Sequence, residues 1–386
     1  DIFRRDYSSS STTGDSDDTT YRQVSTGFQV RAAVPLTEYW SATARYGLSY
    51  DQVTLDEDTY YTNGACDPAI AGAYLCDAVG NRWTSSIGYS LVFDNTNSRM
   101  RPTKGSKLSI SQDFAGLGGD TKYIRSTANY TKYMNLGSSF ILSAHAEGGY
   151  IKGLGQDVRL TDRFYLGDPQ MRGFDIRGVG PRVLRAAYSN GTPTQVLATD
   201  RNTIQDDALG GRAYYLARAE IEIPLGSGAR ELGLRPSIYA QVGSLFGIKQ
   251  PLPTQVFPDL IDPTTGKSYK GSIFTPAVNG SNQPLYTYTT TDSTGAPITA
   301  NTICQNGSPD ATGSCIGTNA NPRALNEQTP FQESFLGNSA KPRLSIGVGV
   351  NWNSPFGPLR IDLAKALLTQ KGDDPKLITF NVGTQF

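Results

Sequence analysis

The chain has 386 residues, of which 18% are charged and 38% hydrophobic, with 41 glycines and 21 tyrosines. That length suits one large domain, and a formal net charge of zero leaves no electrostatic footprint for nucleic-acid binding. No run of eighteen apolar residues occurs, which excludes transmembrane helices but not a membrane barrel, whose strands need only about ten alternating residues each.

Residues 1–7 read as a strand stub, before an acidic loop around Asp15, Asp17 and Asp18. With no initiating Met and no signal peptide, the sequence reads as the C-terminal portion of something longer. Over 21–34, Val24, Thr26, Phe28, Val30, Ala32 and Val34 share one parity; Gln23, Ser25, Gly27, Gln29 and Arg31 share the other; and Pro35 ends the strand. Residues 39–55 repeat the pattern, Trp40, Tyr46, Leu48 and Tyr50 lying opposite Arg45, Ser49 and Asp51. Strands are predicted over 82–93, 106–115, 121–134 and 138–152, with Gly116-Leu117-Gly118-Gly119 as a tight hairpin turn. A long segment, 153–211, precedes a strand at 212–223 that sets Ala213, Tyr215, Ala217, Ala219, Ile221 and Ile223 against Tyr214, Leu216, Arg218, Glu220 and Glu222. A strand over 234–247 leads into a second long loop, 249–340.

Three strands follow, over 342–352, 358–368 and 376–386. In the last, Ile378, Phe380, Val382 and Phe386 share one face, with Thr384 the polar exception. A strand ending on an aromatic invites edge pairing in water. In a bilayer its apolar face meets lipid and the aromatic joins the interfacial girdle. About eleven strands and a stub, with short turns alternating with long loops, follow the habit of outer-membrane barrels. A soluble sandwich has shorter strands and no reason to set Trp and Tyr near the ends of its apolar faces. The expected fold is therefore an all-β, transmembrane antiparallel barrel over 1–386, with 153–211 entering its lumen and 249–340 extracellular.

The four cysteines form two local pairs, Cys66 with Cys76 and Cys304 with Cys315, each in a polar loop. Their spacing is not CxxC and the lone histidine, His145, is distant, so two loop disulfides are expected rather than a metal site. That implies an oxidising compartment, and each bridge should contribute about 2–3 kcal/mol. His145 shares its face with Ser143 and Glu147, but neighbours two apart on one strand do not line up as nucleophile, base and orienter. A polar lumen side chain is expected, and neither a catalytic residue nor a cofactor is assigned. Gly116–Gly119 is no phosphate cradle, since no helix or Lys-Ser/Thr follows.

Within 153–211 lies Leu166-Gly167-Asp168-Pro169-Gln170-Met171-Arg172-Gly173-Phe174, then Gly178-Val179-Gly180-Pro181-Arg182. Arg172, Gly173 and Phe174 offer a guanidinium fork, a flexible backbone point and an aromatic anchor on one loop tip. Folded into a polar lumen, the cation should seek inward carboxylates such as Glu220 and Glu222.

These residues resemble the barrel domain of the BamA family of outer-membrane protein assembly factors. The Arg-Gly-Phe is similar to that family's loop motif after the eleventh of sixteen strands. Asn351-Trp352-Asn353-Ser354-Pro355-Phe356-Gly357-Pro358-Leu359 is similar to its turn between late strands. Phe380-Asn381-Val382-Gly383-Thr384-Gln385-Phe386 is similar to its C-terminal signal strand, with Phe380, Val382, Gly383 and Phe386 in the signal positions. The resemblance spans essentially the whole chain and implies about 11–12 of the sixteen strands, without the first ones or the periplasmic repeat domains. It further implies that the loop arginine bonds acidic groups on the next two strands. Glu220 matches the first; the second falls in an aromatic-x-Asp-x-Gly pattern that here reads Tyr239-Ala240-Gln241-Val242-Gly243. Gln241 replaces the Asp, which leaves a charge–neutral hydrogen bond or shifts the load to Glu222 or Asp362. The implied function is insertion of client barrels through a lateral seam in the Gram-negative outer membrane, without ATP or catalysis. The implied partners are lipids, unfolded clients and accessory lipoproteins. A two-partner secretion transporter of the same superfamily is the alternative. A diffusion porin lacks such a plugging loop, and an outer-membrane enzyme would need a converging triad.

Overall fold

Alternation sustained over ten or more residues has one economical outcome, a wall wet on one side and apolar on the other. The computed structural model describes residues 1–386 apart from 11–18, 63, 100, 190–194, 226–232, 253–255, 276–285, 292–296, 305–307, 310–314, 317–325, 355–356 and 383–386. Twelve strands pair antiparallel in sequence order. They are β1 (Ile2–Ser10), β2 (Thr19–Pro35), β3 (Trp40–Leu55), β4 (Gly80–Asp94), β5 (Gly105–Gly119), β6 (Tyr123–Gly137), β7 (Phe140–Gly153), β8 (Ala213–Glu222), β9 (Leu234–Phe246), β10 (Arg343–Ser354), β11 (Gly357–Leu368) and β12 (Ile378–Val382). Among the described residues, the edge strands β1 and β12 are not hydrogen-bonded to each other, so the wall is an incomplete barrel. One rim carries the long connections 56–79, 154–212 and 247–342; the other carries the short ones 36–39 and 138–139.

The two faces differ as a membrane wall requires. Phe28, Ile87 and Val348 are 40%, 49% and 50% exposed, on the face away from segment 154–212. The opposite face carries ion pairs such as Arg45–Asp113 at 2.7 Å. Aromatic pairs mark both ends of the apolar face: Trp40 with Phe93, ring centroids 5.2 Å apart, and Tyr50 with Trp83 at 4.8 Å. Trp40 and Tyr50 are ten residues apart. At about 3.4 Å per residue and a tilt of about 40° that spans roughly 26 Å across a bilayer, the height of a lipid-facing band. Val348 sits midway along β10. Val348→Arg is expected to cost about 2–4 kcal/mol, read as a lower urea midpoint for the folded form on an unboiled gel. An unshifted midpoint would take this face out of hydrocarbon.

One element differs from its sequence expectation. Gly116–Gly119 is not a hairpin turn: β5 runs through Gly119, which pairs with Thr84 after a register shift in β4. Gly116, Gly118 and Gly119 all have positive φ, so they bulge the strand without breaking it. The reversal is delayed to Asp120, whose backbone N–H donates to Trp83 O and whose carboxylate accepts from Trp83 N.

The largest buried cluster lies not within the sheet but between its inner face and segment 154–212. Ile151, Leu216 and Leu245 of the wall meet Val158, Phe164, Leu166, Met171, Phe174 and Val179 of the segment. Above it, the long-loop rim carries a crown. Strand Arg182–Ala187 pairs with Gln205–Ala208 on one side and Phe331–Leu336 on the other, so the loop 249–340 is not structureless. Residues 56–79 form a small unit closed by the Cys66–Cys76 disulfide. They pack Leu55, Ala71 and Leu75 together, with Leu160 against them. Arg185 Nη1 donates to Ile70 O at 2.6 Å and its Nη2 lies 2.8 Å from Glu333 Oε1. Tyr74 O–H donates to Asp207, whose carboxyl burial pushes above the usual range. Cys66→Ser/Cys76→Ser is expected to loosen this unit by about 2–3 kcal/mol, seen as faster proteolysis within 56–79 while the wall stays intact. The side chains of Cys304 and Cys315 lie outside the described residues.

Candidate functional site

The strands that carry the site place alternate side chains inward, and segment 154–212 brings a cation down onto them. The residues that lead the tip are buried: Arg172 is 1% exposed, and Met171 and Phe174 are fully covered. Gly173 between them has φ +88°, and a Cβ there would stand 3.0 Å from Ser345 Cβ. Only glycine lets the tip lie this close to β10.

Arg172 Nη2 donates to Glu220 Oε2 at 3.1 Å, and Nη1 lies 3.6 Å from Asp362 Oδ1. The guanidinium lies over the Tyr239 ring, 4.3 Å from its centroid. Arg360 shares both acids. Its Nε donates to Asp362 Oδ2 at 2.7 Å, while Nη2 donates to Asp362 Oδ1 at 2.8 Å and to Glu220 Oε1 at 3.0 Å. Ser237 Oγ donates to Glu220 Oε1 at 2.6 Å. Arg172 and Arg360 thus alternate with the two carboxylates in a region closed to solvent, and the partly exposed Arg218 adds a third guanidinium at its margin, its Nε 3.8 Å from Glu220 Oε2.

The predicted partners divide. Glu220 meets the guanidinium. Gln241 does not: its Oε1 accepts from the Arg172 backbone N–H at 2.8 Å and its Nε2 donates to Gln170 O at 3.2 Å, so it holds the tip's backbone. Glu222 is elsewhere, bonded to Arg101 at 2.6 Å near the short-loop rim. Two residues along a strand is roughly 7 Å, which puts it out of reach of the tip. The second carboxylate is Asp362, and the resident cation Arg360 was missed. The signal was available: in β11, Arg360 and Asp362 have the parity opposite to the exposed Ile361 and Leu363. Phe380 and Val382 are both 60% exposed on the outer face, while Gly383 and Phe386 lie outside the described residues. His145 Nδ1 is 2.9 Å from Thr131 Oγ1 and Nε2 is 3.4 Å from Glu147 Oε2; Ser143 Oγ instead donates to Glu220 O, so these three make no catalytic line.

Comparison with family models matches the Omp85 superfamily domain to residues 1–269 and 317–386. The chain belongs to the Omp85 superfamily. Outer membrane protein assembly factor BamA of Neorickettsia risticii (strain Illinois) is 26% identical over 343 residues, covering 88% of this chain and 31% of that protein. Sorting and assembly machinery component 50 homolog of Bos taurus is 30% identical over 163 residues, covering 42% of this chain and 30% of that protein. The crystal structure of BamA from Haemophilus ducreyi lacking POTRA domains 1–3 superposes with a TM-score of 0.58 at 17% identity, covering 98% of this chain and 57% of that one. The chain spans about a third of the length of these curated relatives. The structural likeness identifies the fold of this Omp85 wall, a transmembrane antiparallel barrel, and its place is the Gram-negative outer membrane.

Proposed function

We propose that this barrel wall is the membrane part of a machine that folds and inserts other β-barrel proteins into the outer membrane. The observation that carries this is the buried Arg172 tip, held by Glu220 and Asp362 in a chain whose Omp85 relatives are named as assembly factors. The work is non-catalytic. A client strand pairs with an edge exposed where the barrel's lateral seam opens, which satisfies backbone groups that hydrocarbon would leave unpaired. The segment 153–211 is the element that occupies the lumen while this happens, and Glu220, Gln241 and Asp362 are its seat. Unfolded barrel clients, outer-membrane lipids and accessory lipoproteins are the expected partners.

The test is reconstitution. Full-length protein carrying this barrel is placed in vesicles with a urea-unfolded client barrel and no nucleotide, and the folded client is counted by its gel mobility. Faster client folding than in empty vesicles is expected. An equal rate, or passage of a soluble secreted polypeptide into the vesicles with no client folding, would sink the proposal; the second outcome would establish a secretion transporter.

A further inference from the structure

In its described part β12 pairs with β11 from Leu359↔Val382 to Leu363↔Ile378, and Ala364 N–H of β11 donates to Leu377 O just before it at 2.8 Å. Its other edge has no partner strand among the described residues. The chain before that, 374–376, is taken up by the tip of segment 154–212. Asp175 N–H donates to Asp374 O at 2.8 Å, Asp374 N–H donates to Gly178 O at 2.8 Å, and Lys376 N–H donates to Gly173 O at 3.1 Å. Phe174 and Pro375 form an antiparallel bridge between the two pieces. Lys376 Nζ reaches Asp175 Oδ1 at 2.9 Å, but both side chains are more than a third exposed, so that ion pair is the minor part. On the upstream side the strap is tied to the wall: Asp373 receives Arg343 at 3.0 Å and 3.2 Å, both side chains being fully buried. Arg201 adds bonds to Gly372 O and Asp373 O.

The strap is therefore fixed at Asp373 by β10 and held over 374–376 by the same tip that carries Arg172. We infer that the tip Gly173–Gly178 positions the last strand: docked, it holds the long-loop end of β12 against β11; undocked, it releases that end. The residues that do this are Gly173, Asp175 and Gly178 on the tip and Asp374 and Lys376 on the strap. The inference concerns the mobility of β12 itself and does not need the assembly reading. If both hold, the state of the lumen segment and the state of the last strand are one equilibrium seen from two places.

Gly178 supplies the probe. It does not have the left-handed backbone that would strain alanine, yet a Cβ there would come within 2.7 Å of Asp175 N, Asp175 O and Asp374 O, all main-chain atoms at the junction. A methyl at this point wedges tip from strap. In full-length protein in lipid nanodiscs, followed by amide hydrogen exchange, Gly178→Ala is expected to speed exchange over 376–382 at least about fivefold while 123–133 stays unchanged. A second variant acts in the opposite sense. Asp175→Cys/Asp374→Cys places thiols opposite each other beside the Phe174–Pro375 bridge; once oxidised it should slow exchange over 376–382 relative to either single-cysteine variant. Unaltered exchange there in Gly178→Ala, an increase spread evenly over all strands, or a cysteine pair that fails to cross-link overturns the inference. Should Gly178→Ala not fold, the cysteine pair decides alone: slowing upholds the inference and no slowing ends it. Neither readout requires a client, so loss of this inference would leave the assembly proposal to its own test.

Discussion

Arg172→Ala is expected to lower the rate of client insertion about tenfold or more while the twelve-stranded wall remains folded. The reason lies in how lightly the guanidinium is held. Among the described residues, Arg172 makes one side-chain hydrogen bond, to Glu220, and its Nε and Nη1 make none. A charge-assisted bond of about 1.5–3 kcal/mol and a stacked ring of about 1–2 kcal/mol set the docking energy of the side chain. Losing about 3 kcal/mol shifts the docking equilibrium by roughly two powers of ten, at 1.4 kcal/mol for each. The wall does not share the loss, because Glu220 and Asp362 both keep Arg360. Limited proteolysis should then cut within 164–182 where the parent chain resists. Arg172→Lys should rescue little, since an ammonium neither forks nor stacks flat on Tyr239. Normal insertion rates in the alanine variant would remove the tip from the mechanism.

Arg360→Ala is expected to do the reverse, damaging the barrel before it damages the reaction. Arg360 grips Asp362 with two hydrogen bonds and reaches Glu220 and Asn351 besides. Its removal leaves buried Asp362 with only the Arg172 contact at 3.6 Å, while Glu220 keeps Arg172 and the more distant Arg218. Breaking a buried pair from one side costs about 3–5 kcal/mol, which should appear as a lower urea midpoint and less folded protein in the membrane. Adding Asp362→Asn to that variant is expected to restore part of the midpoint, because the buried carboxylate left with the weakest partner is then neutral. If the midpoint of Arg360→Ala matches the parent, this ion-pair cluster is not what stabilises this part of the wall.

The contrast between these two arginines marks how far the sequence could be read. Lipid on one side and water on the other force period-two alternation, so Phe28, Ile87 and Val348 could be assigned to the outer face from parity alone. Arg172 and Glu220 were legible because a long polar segment carrying a cation needs an inward acid nearby. Asp362 was harder to choose. It lies three strands from Glu220, about 14 Å away on a flat sheet, and only the curvature of the wall with two long guanidinium arms brings the acids into one cluster. Glu222 looked equivalent to Glu220 in alternation but sits one inward step too far along the strand. Gln241 was rightly placed inward, yet the atom it meets depends on how deep the tip backbone lies, which no local pattern encodes. Gly116–Gly119 misled for a related reason: glycines that favour a turn serve equally well in a bulge when the neighbouring strand runs on.

The roughly 26 Å between the aromatic pairs of β3 and β4 also sets a condition on the surrounding lipid. A bilayer with thicker hydrocarbon suffers mismatch here, and its acyl chains must shorten beside the protein or the strands must change their lean. Each ångström of disagreement costs a fraction of a kcal/mol, so this flank of the wall favours thin membranes.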